Sequence, residues 1–165
     1  MATSTNRRFK FPESMQLYLL RHADADTPAE RDSDRALSKK GIAQAKSVAQ
    51  FMADHEIRPA LVLSSPIRRA HETACVVWAE VSVAPWLACG FDAALALEKI
   101  SDLRQHPSVL LVGHEPDFSE FAAYLLGLAT PTAFHVRKAS LTLLEIDIFK
   151  PRAARLEFSI PCKLM

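Results

Sequence analysis

Short apolar or β-branched runs recur at Leu17 to Leu20, Leu61 to Ser64, Val81 to Ala84 and Val109 to Val112, and the segments between them carry apolar residues at helical spacing. This alternation predicts α/β layering around buried, largely parallel strands. After Ser38, a good N-cap, Ile42, Ala45, Val48, Ala49 and Met52 share one face and predict a helix to about His55. A second helix follows Ser65-Pro66, with Ala70, Ala74, Val77 and Trp78 on one side, and a third from Asp92 gathers Ala93, Ala96, Ile100 and Leu103. Pro116, pre-set for a first helical turn, opens a fourth that buries Phe118, Phe121, Ala122 and Leu125 and stops at Gly127. Beyond it, Ser140 to Phe149 and Arg155 to Ile160 read as two strands joined at Lys150-Pro151, a hairpin on the sheet edge.

Composition narrows the setting. The chain has 165 residues, 49% hydrophobic and 24% charged, enough for one domain with its own core. That domain is expected to run from residue 15 to 165, with residues 1–14, basic at Arg7, Arg8 and Lys10, as a frayed tail. Twenty Lys and Arg against 19 Asp and Glu leave a formal charge of +1. Without a general basic field, neither nucleic acid nor an anionic membrane is expected as a partner, and any anion site must be local. Neither a signal-peptide run nor an apolar stretch of membrane-spanning length appears, and the three cysteines, Cys75, Cys89 and Cys162, form no Cys-x-x-Cys pair. Free thiols in a reducing cytoplasm are the expectation.

In an open parallel sheet the ligand crevice lies beyond the carboxyl ends of the strands, so polar residues just after the apolar runs matter most. The first run ends in Arg21-His22-Ala23 and the fourth in Gly113-His114-Glu115-Pro116, while Ser64-Ser65-Pro66-Ile67-Arg68-Arg69 carries guanidinium groups into a helix start. Two histidines and at least two arginines can therefore converge. Together they suit a phosphoryl group: arginine offers planar paired donors, a helix start adds partial positive charge, and a neutral imidazole is a nitrogen nucleophile. Such chemistry calls for neither cofactor nor metal, since surrounding cations stabilise the charge on the transferring oxygens.

Leu20-Arg21-His22-Ala23, Ser65-Pro66-Ile67-Arg68-Arg69-Ala70-His71-Glu72-Thr73 and Val112-Gly113-His114 resemble the three motifs of the histidine phosphatase superfamily, in its small phosphohistidine phosphatase (SixA-like) branch. Arg35-Ala36-Leu37-Ser38-Lys39-Lys40-Gly41 and the ending Ser159-Ile160-Pro161-Cys162-Lys163-Leu164 are similar to that branch as well, so the likeness covers roughly Gln16 to Lys163. It implies a phosphoglycerate mutase-like fold, a three-layer α/β sandwich whose mostly parallel sheet has helices on both faces and an antiparallel edge. The resemblance also implies a metal-independent phosphatase in which His22 becomes transiently phosphorylated while Arg21, Arg69 and His114 hold the phosphoryl oxygens. Arg69 fits the family's Arg-Ala-x-x-Thr pattern and Arg68 is the second choice. Arg35 either reaches the pocket rim or is a solvated surface arginine.

Two departures from the family pattern stand out. Ala23 replaces the usual glycine after the nucleophile, adding one methyl. Trp86, in Pro85-Trp86-Leu87, stands where ester-hydrolysing relatives commonly carry an acid. Imidazole leaves readily without a strong acid, whereas an alkoxide needs a proton, so the change favours P–N over P–O cleavage. Asp24, Asp26 and Glu115 remain candidate donors. The short connections predict a shallow, open pocket, suited to phosphohistidine on a signalling protein of the histidine-containing phosphotransfer type. Alternatives are a phosphatase of small phosphate esters and a phosphate-binding module without turnover. Among the remaining polar groups, His71 and Cys75 lack further ligands for zinc, His55, His106 and His135 are surface residues, and Asp24, Asp26, Glu30, Asp32 and Asp34 form an acidic loop that is solvated surface rather than a metal site, with an influence on the choice of substrate left open. Trp86 and Phe91 are packing residues rather than a base-stacking platform.

Overall fold

A computed structural model describes residues 12–27 and 29–165, so the proposed tail lies largely outside the described residues. Six strands form one sheet: β1 (Met15–Arg21), β2 (Leu61–Ser64), β3 (Ser82–Val83), β4 (Ser108–Gly113), β5 (Leu141–Ile146) and β6 (Ala154–Ile160), in the order β3-β2-β4-β1-β5-β6. The four strands from β3 to β1 run parallel, and β5 and β6 are antiparallel at the edge. Four helices complete the layers: α1 (Lys39–Asp54), α2 (Arg68–Val77), α3 (Ala93–Ser101) and α4 (Asp117–Leu126). This is the expected three-layer α/β fold.

The layers follow from the alternation of side chains along the central strands. Leu17, Leu19, Val109 and Leu111 face Ala96 and Ile100 of α3 and Phe118, Phe121 and Leu125 of α4. Leu20, Leu110 and Val112 face Ala45, Val48 and Met52 of α1 and Ala70, Ala74 and Val77 of α2. Covered on both sides, β4 is buried at every position, which is why its sequence reads as a continuous apolar run. Each fully buried Leu or Phe contributes about 1.5–3 kcal/mol relative to its exposed state.

Helix ends obey the local chemistry of the sequence. The Ser38 hydroxyl accepts from Gly41 N at 3.0 Å and the Asp92 carboxylate accepts from Leu95 N at 2.9 Å, each capping its helix. Gly127 closes α4 in the left-handed region at φ 74°. Elsewhere the pattern needs correction. The strand expected over residues 81–84 shrinks to Ser82–Val83, both exposed, because it has only β2 as a neighbour and Pro85 cannot extend the ladder. Ile42 is 40% exposed, while Gly41 faces inward. The strand expected over residues 140–149 stops at Ile146, where the chain turns toward Pro151.

Gly41 ties α1 to the segment beyond β1: a Cβ built on it falls 1.9 Å from the Asp24 carbonyl oxygen, which backbone alone cannot yield. Gly41→Ala should therefore displace the 24–37 segment. The expected outcome is a loss of about 2 kcal/mol or more, read as a drop in Tm of about 4 °C or more by thermal unfolding.

Candidate active site

The parallel pairing of β1 with β4, with Arg21 opposite Gly113, brings the next residues together. His22 N donates to Gly113 O at 2.9 Å, and the rings of His22 and His114 lie 5.3 Å apart between centroids, inclined at 51°. Both are buried, with 7% and 1% of their surface exposed. His22 Nδ1 sits 2.7 Å from the Ala23 carbonyl, which gives Nδ1 the proton and leaves the lone pair on Nε2. Arg69 Nε donates to that lone pair at 3.2 Å. His114 Nε2 is bonded to the Ser65 hydroxyl at 2.8 Å, and its Nδ1 is buried without a hydrogen-bond partner among the described residues.

The two guanidinium groups come from opposite faces of the sheet. Arg21 follows Leu20 on β1 and so turns to the α3/α4 side, where it donates to Val136 O at 3.1 Å. Arg69 lies in the first turn of α2, 6% exposed, and donates to Asp32 O at 2.8 Å beside an ion pair to Asp32 Oδ2 at 3.0 Å. Thr73 locks this helix to the segment after β1: its hydroxyl accepts from Ala23 N at 3.0 Å and donates to Arg69 O at 2.7 Å. Arg68, one residue earlier, points outward and pairs with Glu72 at 2.6 Å. Arg35 donates to Asp26 O at 2.8 Å and Ala25 O at 3.3 Å and pairs with Asp32 Oδ1 at 3.0 Å, so it braces the loop and reaches Arg69 through Asp32.

Arg21, His22, Arg69 and His114 thus meet at one sheet edge. Three residues bear on them that the sequence pattern did not single out. Asp32 is the counter-ion of Arg69 rather than merely one acid of a solvated loop, Ser65 holds His114, and Lys138, whose charge bears on His22, pairs with Asp24 at 2.7 Å. No short-range signal marks them, since each partner is more than thirty residues away. Asp24 also accepts from Ser38 at 2.8 Å. Trp86 packs edge-on to Phe91 against the α3/α4 core, and His71 Nδ1 is hydrogen-bonded to the Ser64 hydroxyl at 2.9 Å.

Electrostatics keep both imidazoles neutral. Burial lowers His22 to about 4, reinforced by Arg69, Arg21 and Lys138 and opposed by the Ala23 carbonyl. Burial also lowers His114 to about 3, with His22, Arg69 and Arg21 adding to the effect and Asp32 opposing it. Bonds from Lys138 and Ser38 hold Asp24 below the usual carboxylate range. Glu115 goes the other way, raised by burial, although Ser119 donates to it at 2.5 Å and Arg21 stands nearby.

A neutral histidine pair between two guanidinium groups at the carboxyl edge of a parallel sheet defines a site built for a phosphoryl group. The model of the histidine phosphatase superfamily (branch 1) matches residues 17–89. The phosphohistidine phosphatase SixA of Escherichia coli K12 is 31% identical over 139 residues, which cover 78% of this chain and 86% of that protein. A proposed SixA phosphohistidine phosphatase from Agrobacterium tumefaciens, solved as a crystal structure, is 28% identical with a TM-score of 0.78 over 92% of this chain and 99% of that one. The fold is also that of a SixA protein histidine phosphatase solved with tungstate, with a TM-score of 0.81 at 24% identity, covering 92% and 100% of the two chains. The chain belongs to the histidine phosphatase superfamily. Within it this is a SixA-like member, a hydrolase of the phosphatase class.

Two measurements probe this geometry. Arg69→Lys, which removes the paired donors, should lower kcat/KM about a hundredfold, whereas Arg68→Lys should change it less than about threefold. The acid limb of kcat/KM should fall near pH 4 rather than at 6.5, because His22 in the free enzyme stays neutral until then. Its folded pKa lies below its unfolded one, so the unfolded chain takes the proton first. The associated stability is full above about pH 6.5 and is lost as pH falls toward 4, and thermal unfolding of His22→Ala should show a shallower decline across that window.

Proposed function

We propose that this protein is a metal-independent phosphatase that works through a phosphorylated His22 and dephosphorylates phosphohistidine on a signalling protein in the cytoplasm. The observation that carries the reading is the bond from Arg69 Nε to the Nε2 lone pair of a buried, neutral His22. In the resting site the arginine masks the nucleophile; an entering phosphoryl group draws the guanidinium onto its oxygens and frees the lone pair. His22 Nε2 then forms a bond to phosphorus as the bond to the leaving group breaks, with Arg21, Arg69 and His114 holding the three equatorial oxygens. Water next attacks the phosphorus, the P–N bond to His22 breaks, and inorganic phosphate departs. Arg35 acts from outside the cradle, holding Asp32 and thereby the aim of Arg69.

The substrate follows from the leaving group. Trp86 is packed into the core side of the rim, and Asp24 is kept ionised by Lys138 and Ser38, so neither supplies a proton. Imidazole, whose conjugate acid has a pKa of about 6.5, departs without one. A phosphohistidine on a partner of the histidine-containing phosphotransfer type fits this requirement, and residues 15–165 are the unit proposed to carry the activity. A second reading, hydrolysis of small phosphate esters, is favoured by Glu115, whose carboxyl is raised by burial against the opposing pull of Ser119 and Arg21.

Incubation with a phosphorylated histidine-containing protein should produce a phosphoenzyme that survives alkali and is lost in acid, with turnover unchanged by EDTA. His22→Ala should abolish the phosphoenzyme and lower turnover at least a thousandfold. Ester turnover orders of magnitude faster than phosphohistidine turnover would move the assignment to the second reading.

A further inference from the structure

Asp32 stands in an unusual place for a carboxylate. Its Oδ2 lies 3.0 Å from the Arg69 guanidinium that must grip phosphoryl oxygens, and its Oδ1 lies 3.0 Å from Arg35, yet its side chain is 68% exposed. The Arg69 that it pairs with is itself bonded to His22 Nε2 at 3.2 Å, so the carboxylate stands one guanidinium away from that imidazole, and its charge also bears on His114. The 3-10 turn Asp32–Asp34 and the two arginines hold it there. An anion at the mouth of an anion site opposes binding unless the substrate brings a cation with it.

From this juxtaposition, and resting on the reading of His22 as the nucleophile, we infer that Asp32 is a specificity-determining residue that favours phosphoryl groups carried on a protonated nitrogen base over those carried on an alcohol. An N-phosphorylated imidazole protonated on its free nitrogen is positive beside the phosphoryl group. When His22 Nε2 bonds to phosphorus, the P–N pair returns to the ring, which leaves as neutral imidazole with its proton in place. Asp32 attracts that cationic ring on entry and stabilises its reactive protonated form. A dianionic ester carries no such charge, and its phosphoryl oxygens compete with Asp32 for Arg69.

The test compares kcat/KM for N-phosphoimidazole and for p-nitrophenyl phosphate in the natural protein and in Asp32→Asn, which keeps the size of the side chain and removes its charge. The ratio of the two constants should fall about tenfold, the phosphoimidazole value dropping that much further than any loss the ester value shows through the aim of Arg69, as expected for unit charges roughly 6 Å apart at a wet rim. Asp32→Ser serves as a second variant should Asn fold poorly. A parallel fall for both substrates, within twofold, would overturn the inference and leave Asp32 as a positioning residue for Arg69. Absence of a His22 phosphoenzyme in the natural protein with either substrate would instead remove the parent reading, and this one with it.

Discussion

The pairing of β1 with β4 is the contact on which the rest depends. Because the two strands run parallel and in register, the residues that follow them emerge side by side at the same edge, and both are histidines. Dense apolar packing on the two faces of those strands takes the rings out of water, and loss of water suppresses their protonation. A neutral imidazole with its Nδ1 proton given to a backbone carbonyl has one direction left in which to react. The core therefore sets the state of the site as well as the stability: the same burial that fixes the strands keeps both imidazoles neutral.

Cations are then supplied from both sides of the sheet. Arg21 arrives by strand alternation and Arg69 by the first turn of α2, and each is fastened to a backbone carbonyl on its own side. Leaving two guanidinium groups close together in a buried site is unfavourable, and Asp32 and Glu115 offset it differently. Asp32 pairs with Arg69 in the open, where its charge is stable and available to a substrate. Glu115 stands near Arg21 in a half-buried position, and its burial raises its carboxyl. The cradle is thus asymmetric, with an exposed carboxylate shared by Arg69 and Arg35 on one side and a half-buried carboxyl near Arg21 on the other.

Much of this was legible along the chain. The apolar runs at residues 17–20, 61–64 and 109–112 could only be buried strands, Ser38 and Asp92 announced helix starts, and Gly127 announced an end. Arg21-His22 and His114 stood out because titratable residues directly after apolar runs lie where a parallel sheet opens its ligand crevice, and because their motifs resemble those of the family. Residues 81–84 were over-read as a full strand, since periodicity says nothing of whether an edge has a second neighbour or how Pro85 interrupts it.

What the chain determined by itself was the set of elements and the residue types at their ends, because these follow from side-chain period, caps and breakers acting over a few residues. Between Arg68 and Arg69, adjacent and different only in helical phase, the motif already favoured Arg69, and the folded state supplied the reason, turning Arg69 inward to His22 and Arg68 outward to Glu72. Folding also decided that Asp32, one acid among five in a polar loop, would close on Arg69, and that Lys138 would meet Asp24 from 114 positions away. Those pairings depend on distances between segments far apart in the chain, and a charge carries no local mark of the partner that packing will bring to it.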